Sequence, residues 1–161
     1  MAPIEVTPAS TSTEGNYRIK FVTTIAGAAA TVAEFNDGTD ITYSLTPDGW
    51  NPSQDQAVIT DDRLTLEQIL ERPGKKTKSL MVKYVDSATG AATVLIEGTA
   101  GFILVRPIVP NETVGVAAQE YVRWPVTCGE QMDDAPTTNG VFTKSQKLFV
   151  TGAVTREALI A

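Results

Sequence analysis

The sequence predicts a mainly β protein: a β-sandwich or barrel of about seven or eight strands, with one main flanking helix and short extra helices. Short apolar stretches alternate with polar residues at the two-residue period of a strand. Turns rich in glycine and proline separate these stretches, which is typical of sandwiches and barrels. The length of 161 residues fits one domain. These patterns do not choose between the two architectures.

The chain divides into an extended N-terminal arm over residues 1–15 and a single β domain over residues 16–161. The arm is rich in Thr, Ser, Pro and Glu and has little apolar patterning. We therefore expect it to become ordered only when something binds it. The domain begins where period-two alternation starts, at Tyr17.

The first elements of the domain are two strands and a short helix. Alternation predicts strands at Tyr17–Phe21 and at Ile41–Leu45. Between them, Thr31 and Glu34 have the spacing of a capping box, in which each residue satisfies a free backbone amide of the other. The turn residues 36–38 then end the helix after barely two turns.

A long loop is predicted over residues 46–60, with a short strand at its end, Ala57–Thr60. Pro47 and Pro52 argue against a regular element in the earlier part, since proline cannot donate to a ladder. This loop contains Trp50. That side chain either folds back onto its own core or anchors a partner chain, as tryptophans at interface centres do.

The remaining elements are less uniform. Residues 64–72 fit either a helix or a strand, and Pro73-Gly74 would end a helix there. Ala91–Glu97 is apolar enough for one buried helix. Strands are predicted at four further segments: Lys78–Val85, Phe102–Arg106, Tyr121–Cys128 and Gln146–Thr155.

Composition excludes most chemistry, and no catalytic, cofactor or metal site is predicted. The chain has no histidine and one cysteine, Cys128, which removes the usual triads and zinc sites. The pairs Asp61-Asp62 and Asp133-Asp134 are sequence neighbours and are poorly placed to face each other across a cleft. The net charge of −6 argues against a dedicated nucleic-acid grip. The apolar runs are too short for membrane insertion.

Charge is distributed unevenly along the middle of the chain. Residues 37–71 contain eight acids and one base, whereas residues 72–83 contain five bases and no acid. Such runs are either solvated faces or complementary surfaces of a head-to-tail interface between copies. The candidate patches for such an interface are Asp61, Asp62, Arg72, Lys75, Lys76 and Lys78.

An ordered set of short segments carries a family resemblance over nearly the whole chain. The main segments are Tyr17-Arg18, Thr31–Glu34, Thr46–Pro52, Asp61–Thr65, Glu97–Phe102, Val109–Thr113, Pro125–Gly129 and Gln146–Gly152. With them, the chain resembles the major tail tube proteins of long flexible-tailed bacteriophages, particularly those of actinobacterial hosts.

The resemblance implies a structural virion protein without enzymatic activity. In that family six subunits form a ring, strands of all six close one inner barrel, and rings stack around a tape-measure protein. Tail terminator or tip proteins are further partners, and double-stranded DNA later passes through the lumen. The implied location is the virion tail, after assembly in the host cytoplasm.

The resemblance also implies roles for particular residues. The 46–60 loop would lie between rings, with Asp48, Trp50 and Asn51 as candidate contacts. The acids Asp37, Asp40 and Asp55 are candidates for the lumen wall. The alternative function, from another class, is a non-enzymatic β-sandwich binding module such as a capsid decoration or adhesion domain.

Overall fold

The computed structural model describes residues 10–161, and the predicted N-terminal arm therefore lies mostly outside the described residues. The strands are β1 (Tyr17–Val22), β2 (Thr39–Asp40), β3 (Leu45–Asp61), β4 (Leu70–Val85), β5 (Ala100–Pro107), β6 (Glu120–Asp133), β7 (Thr143–Val150) and β8 (Thr155–Ala158). The helices are α1 (Val32–Asp37), α2 (Ala91–Val94) and a 3₁₀ turn (Thr42–Ser44).

All eight strands belong to one antiparallel sheet, in the order β2-β1-β5-β6-β7-β4-β3. One edge of β6 pairs with β5. Its other edge is longer than either remaining partner, so it pairs first with β8 and then with β7. Side chains from β1 and from β4, which have three strands between them in the order, share one hydrophobic cluster, so the sheet curls. The predicted mainly β fold is confirmed.

The core lies on both faces of this sheet. The larger cluster, on the concave side, contains Ile19, Phe21, Ile41, Leu80, Val82, Tyr84, Ala91, Leu95, Ile103, Val105, Trp124, Val126, Cys128 and Leu148. The smaller one lies under α1 and contains Val22, Ala30, Phe35, Leu104, Tyr121 and Leu159. Burial raises the pKa of Cys128 to about 11, so this thiol stays protonated and acts as a small apolar side chain.

The capping box that begins α1 is confirmed. The Thr31 hydroxyl accepts from the Glu34 amide at 3.2 Å, and the Glu34 carboxylate accepts from the Thr31 amide at 2.9 Å. Gly38 closes the helix. The second predicted helix is shorter than expected, a single turn over Ala91–Val94.

The prediction of a loop over residues 46–60 is wrong, since β3 runs through the whole segment. β3 lies at the edge of the sheet, where a proline costs no ladder hydrogen bond if its nitrogen faces outward. A large bulge between Leu45 and Trp50 takes up Pro47, and Pro52 pairs in register with Leu80. The edge position is therefore what reconciles two prolines with a strand.

Two neighbouring predictions also need correction. Residues 62–69 form a turn, and β4 begins at Leu70, so Pro73-Gly74 lies inside a strand instead of ending a helix. A second bulge between Gln56 and Val58 accommodates that dipeptide. The predicted strand at Ile41–Leu45 is mostly the 3₁₀ turn, which lets the chain cross from the β1 edge to the β3 edge.

Candidate assembly surface

A long hairpin projects beyond the sheet. Strand β4 pairs with β7 only over Leu80–Val85, so its earlier part, residues 70–79, has β3 as its single partner among the described residues. We call residues 53–79, with the turn at 62–69, the projecting hairpin. A two-stranded ribbon is marginally stable in water by itself, so this segment lacks the support that the rest of the sheet has.

Apolar side chains are exposed along the projecting hairpin. The most exposed is Leu64, at 95%. The set comprises Val58, Ile59, Leu64, Leu66, Ile69 and Leu70. Single exposed apolar side chains are ordinary, but a contiguous group on one protruding element marks an interaction surface.

At the root of the hairpin, Asp48 and Asn51 stabilise the β3 bulge of their own subunit. The Asn51 amide donates to the Asp48 carbonyl oxygen at 2.7 Å, and the Thr46 hydroxyl donates to the Asp48 carboxylate at 2.8 Å. The bond from Thr46 lowers the pKa of Asp48. The Lys83 ammonium lies 3.8 Å from the same carboxylate. A role of Asp48 and Asn51 between rings stays a prediction.

Trp50 packs within its own subunit. Its ring meets Trp124 edge to face, with centroids 6.2 Å apart, and it is partly buried against the concave core. The sequence left two interpretations of Trp50 open, and the structure shows the first of them: the side chain folds back onto the core of its own subunit. Part of the ring also lines a groove of about 450 Å³ with Tyr17, Leu45 and Pro47. Trp50→Ala would disturb the fold, so it is a poor test of ring contacts.

The charge patches lie on the projecting hairpin, but they do not neutralise each other. The Arg63 guanidinium forms an ion pair with the Asp61 carboxylate at 3.1 Å, and Asp62 is exposed in the turn. The opposite strand carries the basic residues Arg72, Lys75, Lys76 and Lys78. None of the ion pairs formed among the described residues involves these four. The Lys78 ammonium lies over the Trp124 ring, 5.9 Å from its centroid, whereas Arg72, Lys75 and Lys76 are exposed.

The three predicted lumen acids do not lie together. Asp37 ends α1, and Asp40 lies in β2, where the Arg18 guanidinium binds it at 2.9 Å. Asp55 lies at the opposite edge of the sheet, on the projecting hairpin. The sheet order therefore separates Asp55 from the other two. That these acids line a lumen stays a prediction.

Sequence reasoning missed the apolar turn of the hairpin. Leu64, Leu66 and Ile69 fall in the segment that fits either a helix or a strand, whereas the structure places all three, exposed, in the turn. The available signal was their setting: the apolar residues alternate with Asp62, Arg63, Thr65 and Glu67, and Pro73-Gly74 follows. No helix among the described residues is long and apolar enough to cross a membrane.

A curled sheet with a long unpaired edge and an exposed apolar hairpin defines a class: subunits that complete their surface by assembly. Solved structures share the fold. One is a chain of the anti-feeding prophage baseplate, from six-fold symmetrised cryo-EM, with a TM-score of 0.61, 10% identity, and coverage of 95% of this chain and 97% of that chain.

Two further structures come from gene transfer agents. A chain of the native virion has a TM-score of 0.57, and a chain of the empty-particle tail, refined helically with C6 symmetry, has 0.58. Both are 13% identical and cover 92% of this chain and all of the other. No curated protein matches the chain. The family model described as "Phage tail tube protein" matches residues 5–161. The chain therefore belongs to the phage tail tube protein family and is a structural protein of the virion tail.

Proposed function

We propose that six copies of the chain associate into a ring and that rings stack to form the tail tube. The observation that carries this proposal is the projecting hairpin, whose two strands pair only with each other among the described residues and which exposes six large apolar side chains. The six-fold symmetry of the baseplate and tail structures that share this fold supports six as the number of subunits.

Ring formation would also cover the free edges of the sheet. The outer edge of β3, residues 45–61, and the second edge of β4, residues 70–79, have no strand neighbour among the described residues. Exposed edges of this length favour uncontrolled aggregation. Closing strands of neighbouring subunits into one barrel removes them, which gives the long edge a function.

The tube would enclose a tape-measure protein, meet terminator or tip proteins at its ends, and pass double-stranded DNA without catalysis. The chain is acidic, with a net charge of −6, and an acidic wall does not retain phosphates as a basic wall would. Asp55 is the predicted lumen acid that lies on the hairpin and has no ion pair among the described residues.

Sedimentation and electron microscopy of the purified chain at rising concentration test this proposal. We expect rings with six times the 17.2 kDa chain mass, or hollow tubes of stacked rings, without any added ligand. A stable trimer would instead favour the capsid-decoration alternative. A mass that stays at that of one chain over the whole concentration range would overturn self-assembly.

A further inference from the structure

The turn of the projecting hairpin combines exposed apolar side chains with excess negative charge. Leu64 is 95% exposed and Ile69 is 54% exposed. Residues 61–71 contain four acids, Asp61, Asp62, Glu67 and Glu71, against one base, Arg63. A surface of this kind is complementary to an apolar groove with a basic rim.

A groove with a basic rim and a mixed polar and apolar lining lies at the base of the same hairpin. Its volume is about 520 Å³, and its walls are Lys76, Thr77 and Lys78 on β4 and Val150, Gly152, Ala153 and Val154 at the β7–β8 connection. Val150 and Val154 pack against the concave core, so the apolar wall is fixed in place. The two lysines have no ion-pair partner among the described residues.

The turn does not reach the groove of its own subunit. The register pairs Asp61 with Leu70 at the far end of the ribbon and Gln54 with Lys78 near the groove. Eight residues of extended chain separate Leu70 from Lys78, a length of about 26 Å at ~3.3 Å per residue. Both strands are paired at each end of this length, with one bulge between Gln56 and Val58, so the pairing holds the turn away from the groove. A turn that reaches the groove would therefore belong to another copy.

We propose that the hairpin turn of one copy, residues 62–69, docks into the groove between Lys76 and Val154 of the next copy. Leu64 enters between the β4 lysines and the β7–β8 connection, and Asp62 and Glu67 face Lys76 and Lys78. The turn and the groove are different surfaces, so the contact is heterologous and repeats from copy to copy. This inference rests on the proposed tube and names the contact that joins its subunits.

Charge exchange tests the electrostatic part. Lys76→Glu and Glu67→Lys should each raise the concentration needed for assembly about five-fold, because each places like charges together at a partly exposed contact. Combining the two in one chain should restore assembly, since the pair is re-formed with reversed signs. Lys147→Glu, which changes the net charge as Lys76→Glu does but lies outside the groove, should have little effect.

Disulfide trapping tests the position directly. Leu64→Cys combined with Ala153→Cys should give a ladder of linked chains on a non-reducing gel of assembled protein. Leu64→Cys combined with Lys147→Cys is the matched control and should not. Native Cys128 is 2% exposed and does not compete.

The outcomes separate this inference from the proposed function. Tubes that form without a 64–153 ladder, or with an equal 64–147 ladder, overturn the docking contact and leave the tube intact. Failure of double charge exchange to restore assembly counts against the pairing of Lys76 with Glu67. Failure of the unmodified chain to form rings or tubes at any concentration overturns both proposals.

Discussion

Strand β4 is built in two different ways along its length. In its second half, Leu80, Val82 and Tyr84 are almost completely buried and face the concave core, with β3 on one side and β7 on the other. In its first half, residues 70–77 are exposed apart from Gly74, and β3 is the single described neighbour. The comparison shows that one half is buried by its own subunit, whereas the other half receives no such burial from the described residues of the chain.

Hydrogen exchange should give the largest difference between the two regions. In protein kept below its assembly concentration, amides of the projecting hairpin should exchange at least about 1000-fold faster than those of Ile103–Val105 in β5. Exposed ribbons open locally, whereas core strands exchange only on global unfolding. Assembly should remove most of the difference. Equal protection of both regions in the single chain would show that the hairpin is stable unaided.

A matched pair of leucine substitutions should separate fold stability from assembly. Leu148 is fully buried, so Leu148→Ala should lower the free energy of unfolding by about 2–5 kcal/mol. Leu64→Ala should lower it by less than about 0.5 kcal/mol, as expected for an exposed position, while it impairs assembly. Urea denaturation of the single chain measures both values. A large loss for Leu64→Ala would mean that the turn packs on its own subunit.

The root bulge is the joint between the two regions, and Gly49 is essential to it. A Cβ at Gly49 would collide with the backbone carbonyl of Lys83 and lie 2.8 Å from the Thr46 nitrogen. Gly49→Ala should therefore destabilise the chain by about 1–3 kcal/mol and reorient the hairpin. Gly27→Ala, where the nearest atom lies 3.6 Å away, is the control. Thermal unfolding of both variants tests this prediction. Equal melting temperatures would contradict the steric requirement for glycine at position 49.

The smallest expected effect concerns α1, on the core side of the comparison. The Glu34 carboxylate accepts from the amides of Thr31 and Ala26 at 2.9 and 2.8 Å, and these bonds lower its pKa from its ordinary value. Its contribution is therefore present above the unfolded pKa and is lost as the pH falls through the folded pKa. Between about pH 6 and about pH 3.5, the free energy of unfolding should change less in Glu34→Gln than in the unmodified chain. An unchanged dependence would exclude the carboxylate as its source.

Local rules predicted some elements correctly and failed at others for identifiable reasons. The capping box at Thr31 and Glu34, and the strands β1, β5 and β6, depend on neighbours within a few residues, and all are present in the structure. The segment around Pro47 and Pro52 was assigned to a loop because local rules treat proline as a strand breaker. Its edge position in the sheet, which permits proline, is a tertiary property.

The candidate site shows the same limit. The sequence identified the basic run at Arg72–Lys78 and the acidic run before it, but not that they form the two strands of one projecting hairpin. It named Trp50 but left its partner open, and the structure supplies Trp124, 74 positions later in the chain. Contacts of this sequence separation depend on how the sheet curls, which no local pattern encodes.

The sequence by itself determined that the protein is mainly β, that its family is that of the tail tubes, and that the chain carries unequal charge along its middle. Periodicity, residue type and segment order suffice for these conclusions, because each is written in the order of the residues. Only the tertiary structure decided that β3 and β4 extend beyond the sheet, that Leu64 is exposed to solvent, and that Lys76 and Lys78 border a groove with Val150 and Val154. These features arise where strands of unequal length are paired, and pairing is set by long-range packing.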